Sequence, residues 1–439
     1  MLSQLSDFLQ RKIIWESPER ALALYKKAPK ALIEWFRVAN LRRTIELAGT
    51  KSIFYGELFA RHPFELKTVG SPKDLFPIFT TERDLVTYPS QHFLCARADT
   101  AFESTGTASK TPKRIFFSNR ELEDAGRIGA AGLWRLGVCA SDRVVSSFDY
   151  SFWVSGPALK AALEGIGAFH IEAGRMDPKD FYDRVKPYHC NVIVADPGWL
   201  VRLSEVAEKE GPWPLKLMIA GGENLAENSR RYAENVWGAK LILSYGQTEA
   251  FGMIGVECPE QQGYHINDMD LWAEIPAPDK DGYGELVYTT LRRSVMPLIR
   301  YRSGDVTKLI HEPCRCGVSS PRLAKLKGRA DDLAVTSVGN IAPWMFESAM
   351  DAAGLRSAEW QIKLSQAERR DTIEFHIEMS NGASAETLRE KMLEGMKLEL
   401  GVARQGILQG LAGFAVKIHA PGELKQGRKL KRILDQRTF

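Results

Sequence analysis

Apolar residues recur at two different spacings along this chain, and the change between them divides it. Leu2, Leu5, Phe8 and Leu9 lie three or four apart, the spacing of one face of a helix. Residues 1–70 read as helices punctuated by Pro18, Pro29 and Pro63, since proline lacks the N–H that a helix interior needs. From about residue 120 to 300, helix-like stretches alternate with short β-branched runs at 143–147, 191–195, 215–220 and 240–244. Such alternation predicts parallel sheets covered by helices. Gly284 to Thr290 alternates as a strand does, and Gly328 to Asp332 is polar and turn-prone. The residues beyond carry an apolar pattern of their own. The expectation is an α/β chain with a large domain over 1–330, built on helix-covered mixed or parallel sheets. A small α+β domain over 331–439 follows.

Composition changes this picture little. A chain of 439 residues suits two or three domains, and 44% hydrophobic with 26% charged residues is ordinary for a globular enzyme. The net charge of +4 does not call for nucleic acid. Positive charge gathers near the end, at Lys425, Arg428, Lys429, Lys431 and Arg432; this is either a solvated face or a contact for phosphate. No apolar run is long enough for a membrane span, and the N-terminus lacks a signal-peptide pattern. Six cysteines without an evident pairing framework predict a reduced, cytoplasmic protein.

Four short segments carry the candidate chemistry. Ser104-Thr-Gly-Thr107, followed by Lys110, follows the apolar pair Ala101-Phe102. Its amides, hydroxyls and lysine suit phosphate oxygens, although a plain surface turn has the same composition. Ser244-Tyr-Gly-Gln-Thr-Glu249 comes after a predicted buried strand, at the carboxyl end where open sheets bind ligands. Tyr245 there suits stacking on a base and Glu249 suits magnesium, or the segment simply ends a strand. In Tyr301-Arg-Ser-Gly-Asp305, Asp305 is placed to accept from ribose hydroxyls or is a turn aspartate. Gly328-Arg-Ala-Asp-Asp332 is the fourth.

In this order the segments resemble the adenylate-forming enzymes, and most closely the phenylacetate–coenzyme A ligase branch. Phe76–Leu85, Ala220-Gly-Gly-Glu223 and Met296–Asp305 add to the likeness, which runs from about residue 70 to the C-terminus. The resemblance implies attack of a carboxylate on the α-phosphate of ATP, giving an acyl-adenylate and pyrophosphate, then displacement of AMP by a thiol, usually that of coenzyme A. It implies that Ser104, Thr105, Gly106, Thr107 and Lys110 hold pyrophosphate oxygens. Ala220, Gly221, Gly222, Glu223, Tyr245 and Gly246 would surround adenine and acid, with Thr248 at the α-phosphate. Glu249 would hold Mg2+, Asp305 the ribose, and Arg329 would lie near the ribose and phosphate. Asp331 would be the hinge of a mobile C-terminal domain, and Lys429 the catalytic lysine of adenylation, with Lys431 as the alternative. The loop Thr107–Pro112 departs from the family pattern: it lacks a second glycine and is one residue longer.

Cys258, His265, Cys314 and Cys316 have ligand types and turns that suit a structural Zn2+ site; His311 is an alternative fourth ligand, and unrelated reduced cysteines are the other reading. Cys95, Cys139 and Cys190 read as packing residues. By the resemblance, the acid pocket is walled by Phe148–Trp153, where Tyr150, Phe152 and Trp153 are either flat apolar walls or core aromatics. An aromatic or other hydrophobic acid follows, and Asp149 raises an amine- or hydroxyl-bearing one. Trp344 is a further large residue near the hinge. The acceptor stays open between coenzyme A, an acyl carrier protein, a protein cysteine and an amine; a non-catalytic nucleotide-binding relative is the reading from another class. No nucleic acid or membrane partner is expected, and a homodimer is open.

Overall fold

The computed structural model describes residues 17–104, 112–250, 252–357, 359–367, 370–379, 384–424 and 430–437. Thr105, Gly106, Thr107, Lys110, Lys425, Arg428 and Lys429 lie outside these residues, as does the apolar set from Leu2 to Leu9.

The N-terminal helices start and stop where their sequence dictates. α1 (Pro18–Lys27) and α2 (Lys30–Lys51) begin at or just after a proline. Ser52 ends α2 and caps α3 (Ile53–Arg61) by accepting the Tyr55 N–H. Thr81 and Asp84 form a capping box on α4 (Glu82–Thr87). A hairpin of β1 (Thr100–Ser104) and β2 (Lys113–Phe117) puts Ser104 directly opposite Lys113. A second capping box, Ser118 with Glu121, starts α5 (Asn119–Arg135).

The alternating region then builds the predicted parallel sheet. β3 (Arg143–Ser146), α6 (Ser155–Ile166), β4 (Phe169–Glu172), α7 (Pro178–Val185) and β5 (Val192–Ala195) are followed by α8 (Pro197–Glu210), β6 (Leu217–Gly221), α9 (Glu227–Trp237) and β7 (Lys240–Gln247). Strands β3 to β7 pair in parallel. β5 and β6 are buried along their whole length, as strands covered on both faces should be. Beyond β7 the sheet continues in antiparallel fashion through β8 (Gly252–Val256) and β9 (Tyr264–Ile266). β10 (Leu271–Glu274), β11 (Gly284–Thr290) and β12 (Tyr301–Thr307) make a separate antiparallel sheet. β13 (Leu309–Ile310) and β14 (Arg322–Leu323) return to complete nine strands, in the order β13-β14-β9-β8-β7-β6-β5-β3-β4.

After Asp332 a second hydrophobic core begins. β15 (Ala334–Thr336), β16 (Gly339–Ile341) and α10 (Pro343–Ala352) precede the hairpin of β17 (Trp360–Ala367) and β18 (Arg370–Glu378). α11 (Ala385–Gly395), α12 (Gly401–Leu408), β19 (Ala412–His419) and β20 (Ile433–Asp435) close a four-stranded sheet, β19-β18-β17-β20. Phe346, Trp360, Phe375 and Met392 are buried in this core, apart from the one built on the large sheet. The two parts meet where the Asp351 carboxylate accepts the N–H groups of Glu227 and Asn228, a favourable place for a negative charge at the start of α9. No helix among the described residues is long and apolar enough to cross a membrane.

Candidate active site and metal cluster

A cavity of about 620 Å³ opens at the carboxyl ends of β5, β6 and β7 and reaches Arg329, Asp332 and Lys431. Its two ends differ in chemistry. At the polar end, Glu249 sits on the turn after β7 and is 2% exposed. Ser104 donates its hydroxyl to Glu249 Oε1 at 2.7 Å, and Lys113 Nζ lies 2.7 Å from the same oxygen. Burial alone would raise the Glu249 pKa, but the Lys113 charge and the hydrogen bonds from Lys113 and Ser104 hold it below the usual carboxylate range. Lys113 also pairs with Glu82 at 3.1 Å, and Glu82 with Arg329 at 3.4 Å. This chain of charges ties the hairpin, α4 and the segment after β12 to one point.

A second anchor lies beside it. Asp305 Oδ2 accepts from the Tyr245 hydroxyl at 2.6 Å and from Gln247 Nε2 at 2.7 Å, and Arg329 approaches Oδ1 at 3.8 Å. Burial, then the neighbouring Asp305, pushes the Tyr245 phenol well above its usual pKa, so it stays a donor. Two glycines let the chain come this close. A Cβ on Gly246 would run into the Gly252 carbonyl oxygen, and Gly304, at φ 76°, leaves room for the Arg329 guanidinium.

The structure brings together Ser104, Gly221, Gly222, Glu223, Tyr245, Gly246, Thr248, Glu249, Asp305 and Arg329, all on the cavity wall. Thr248 donates its hydroxyl to the Glu103 carbonyl at 3.4 Å. Ala220 is buried within β6 and is not on that wall. Of the aromatic segment, Phe148 and Trp153 line the cavity, while Tyr150 and Phe152 do not. The Tyr150 hydroxyl bonds to Ser146 and lies 3.2 Å from His170 Nε2, which holds the ring elsewhere. Phe152 is 64% exposed, its carbonyl accepting the Glu103 N–H. Asp149 is engaged by Ser151 and is not on the wall. Asp331 belongs to the turn Ala330–Asp332, in the segment between Arg329 and Asp332, which line the cavity. Trp344 stacks under Lys327 outside it.

Sequence reasoning passed over Lys113 and Gln247. The signal for Lys113 was the alternation of β2: it takes the inward phase shared by Ile115 and Phe117. A lysine in the buried phase of a strand needs a carboxylate. No such signal marks Gln247.

At the apolar end, α5 and α6 pack against each other and give Ile128, Leu133, Ala158 and Leu159 to the cavity wall, which Val194, Ile219 and Met253 complete.

A second cluster lies apart from the cavity. The ligand atoms of Cys258, His265, Cys314 and Cys316 all fall within 4.8 Å of one another, and His311 is not among them. Cys258 and Cys314 Sγ are 3.6 Å apart, and Cys316 Sγ is 3.3 Å from His265 Nε2. A tetrahedron with zinc–sulfur bonds of about 2.3 Å has sulfur–sulfur edges of roughly 3.8 Å, so the spacing fits. Burial, aided by Arg135 and Arg322, pushes the His265 pKa down to about 3, leaving the neutral imidazole that a metal requires. Its Nδ1 faces the Ser320 hydroxyl at 3.4 Å, the outer contact that orients a ligating histidine.

No family model matches the chain. Its sequence is 26% identical over 437 residues to the phenylacetate-coenzyme A ligase of Thermus thermophilus, covering 93% of this chain and 98% of that one. Its structure matches 2-hydroxyisobutyryl-CoA ligase in the postadenylation state, in complex with R3-HIB-AMP, with a TM-score of 0.80 at 20% identity over 94% of this chain and 92% of the other. The same ligase with 2-HIB-AMP and CoA in its thioesterification state gives 0.65 at the same identity and coverage. The arrangement of this chain is therefore nearer the first state than the second. The chain resembles the phenylacetate-coenzyme A ligases over nearly its whole length, and it has the fold of the coenzyme A ligases of the adenylate-forming superfamily.

Proposed function

We propose that this protein activates a carboxylic acid with ATP and passes the acyl group to a thiol, coenzyme A being the leading acceptor. One observation carries the reading: the two carboxylates Glu249 and Asp305 are each fixed by buried donors on one polar wall, and an apolar chamber adjoins them. In the first step a carboxylate oxygen of the acid bonds to the α-phosphorus of ATP and pyrophosphate leaves. In the second the thiol sulfur bonds to the acyl carbonyl carbon, loses its proton, and AMP leaves.

Each residue then has a task set by its position. Asp305, already oriented by Tyr245 and Gln247, accepts from the ribose hydroxyls; Gly221, Gly222 and Glu223 flank the base. Ser104 and Thr248 donate to phosphate oxygens, joined by Thr105, Gly106, Thr107 and Lys110 of the adjoining loop. Lys113 keeps Glu249 ionised, which suits that carboxylate to hold Mg2+; the bound ion would neutralise phosphate charge. Lys429 supplies positive charge where negative charge grows on the reacting oxygens; Leu430 and Lys431, next in the chain, already line the cavity.

Asp331 acts as the hinge between a domain over 1–330 and a mobile one over 331–439. The two TM-scores against one ligase in two states support a rotation of this kind. The cysteine–histidine cluster holds a structural Zn2+; its closed set of four ligands leaves no position for substrate. Trp153 and the aliphatic chamber favour a hydrophobic acid. Six cysteines without a disulfide support a reducing, cytoplasmic setting.

The test is an incubation with ATP, magnesium and arylacetic acids. Acid-dependent pyrophosphate release, with a thioester formed only once coenzyme A is added, is the expected result. Release of pyrophosphate without any thioester would move the acceptor to a carrier protein, a protein cysteine or an amine. No acid-dependent release would overturn the reading.

A further inference from the structure

The apolar chamber continues beyond its own end wall. α5 lines it with Ala125, Ile128, Gly129 and Gly132, a single helix face about 10 Å long at 1.5 Å per residue. A Cβ on Gly129 would sit 2.9 Å from that of Ala162, so α5 and α6 pack closely there. At Gly132 the chamber is stopped by a side chain: Met253 Cε lies 3.1 Å from where a Cβ on Gly132 would be. Met253 reaches this place from β8, where it pairs with Gly246 at the polar end.

Behind Met253 is a second, smaller cavity of about 50 Å³. Met253, Gly132, Ile128, Val256 and Asn267 line both. Leu22 and Val318 extend its apolar wall, and His265 and Ser320 of the cysteine–histidine cluster are also on its boundary. A space of that size exceeds the 10–15 Å³ one water needs, yet its lining is largely apolar. Among these shared residues Met253 is the unbranched thioether with three rotatable bonds, the side chain best able to repack.

We propose that Met253 sets the length of apolar tail the site admits, the tail of the acid running along α5 and ending against the Met253 thioether. This rests on the adenylation reading above. Removing the thioether would join the two spaces; enlarging the side chain would shorten the first.

The experiment measures acid-dependent pyrophosphate exchange for phenylacetate, phenylpropionate, phenylbutyrate and phenylvalerate, with wild type, Met253→Ala and Met253→Phe. The quantity read is the ratio of kcat/KM for phenylvalerate to that for phenylacetate. Met253→Ala should raise it by at least about tenfold, since the two acids differ by three methylenes and a hydrophobic pocket separates substrates one methylene apart by that factor or more, and Met253→Phe should lower it. The opposed directions exclude a general loss of activity, and if Met253→Ala fails to fold, the direction of the Met253→Phe shift decides. A ratio unchanged in both variants would overturn the role of Met253 while leaving adenylation intact. No exchange by the wild type with any of the four acids would instead overturn the adenylation reading, and this inference with it.

Discussion

The two ends of the cavity are built by opposite means. At the polar end a few side chains from distant segments, Ser104, Lys113, Glu249, Asp305 and Arg329, are locked by charge and hydrogen bonds. At the apolar end two helices and the underlying sheet supply shape, and Ala158, Leu159 and Met253 have no directional partner there. Changes at the polar end should therefore alter rate and stability for every acid, because a buried charge left alone is costly. Changes at the apolar end should alter which acid is chosen, because lost contacts scale with the surface the tail touches.

The largest effect expected is that of Lys429→Ala. Acid-dependent pyrophosphate exchange should fall about a thousandfold, the scale of losing one positioned donor to a developing negative charge, with thermal unfolding unchanged. Near-normal exchange would remove Lys429 from the reaction and turn attention to Lys431.

Next comes Lys113→Met, which keeps bulk but strands Glu249. Breaking a buried pair costs about 3–5 kcal/mol, visible as a lower denaturant midpoint for a side chain only 4% exposed. The pH dependence sharpens this. Glu249 has a depressed folded-state pKa, so its stabilising contribution is complete above the ordinary carboxylate value and is lost as pH falls through the folded one. Without Lys113 the buried carboxylate would titrate higher and the contribution would reverse sign. Wild type should thus lose more stability than the variant on acidification from about pH 7 to pH 4. Equal losses would mean that the pair does not hold Glu249.

Much of this contrast was open to inspection before the fold was known. The polar end was legible because chemistry restricts residue type: Glu249 and Asp305 stand in short, ordered segments, and alternating β-branched runs gave β3, β5, β6 and β7, though not β4. The apolar end was not, because any aliphatic residue serves there and α5 meets α6 only in three dimensions. The aromatic segment illustrates the difficulty, since Tyr150 and Trp153 look alike in sequence and only Trp153 reaches the cavity. What separates them is a hydroxyl drawn to Ser146 and His170 from neighbouring strands. Lys113 is hidden for a simpler reason: it opens the strand β2, among apolar residues, beyond the glycine-bearing segment whose residue types suggest phosphate. The antiparallel extension from β8 onward leaves a weak pattern because its strands are short and joined across long stretches of sequence.

Cys314→Ser should have an intermediate effect and fall on neither end of the cavity. It should reduce bound zinc, measured by elemental analysis, and lower thermal stability, with the adenylation rate per folded molecule nearly unchanged. Unchanged metal content would refute the site. The smallest effect belongs to Tyr150→Phe, which removes a hydroxyl that points away from the cavity: the preference among acids should shift by less than about twofold, whereas Trp153→Ala should shift it by about tenfold. A large change of preference in Tyr150→Phe would bring that residue back to the acid wall.

Acid-dependent exchange of labelled pyrophosphate into ATP, run across arylalkanoic, aryl and short hydroxy acids, tests the central claim most directly. The account predicts exchange that requires magnesium and is strongest with hydrophobic acids long enough to fill the chamber beside α5. Absence of exchange with every acid, in folded protein, would contradict it.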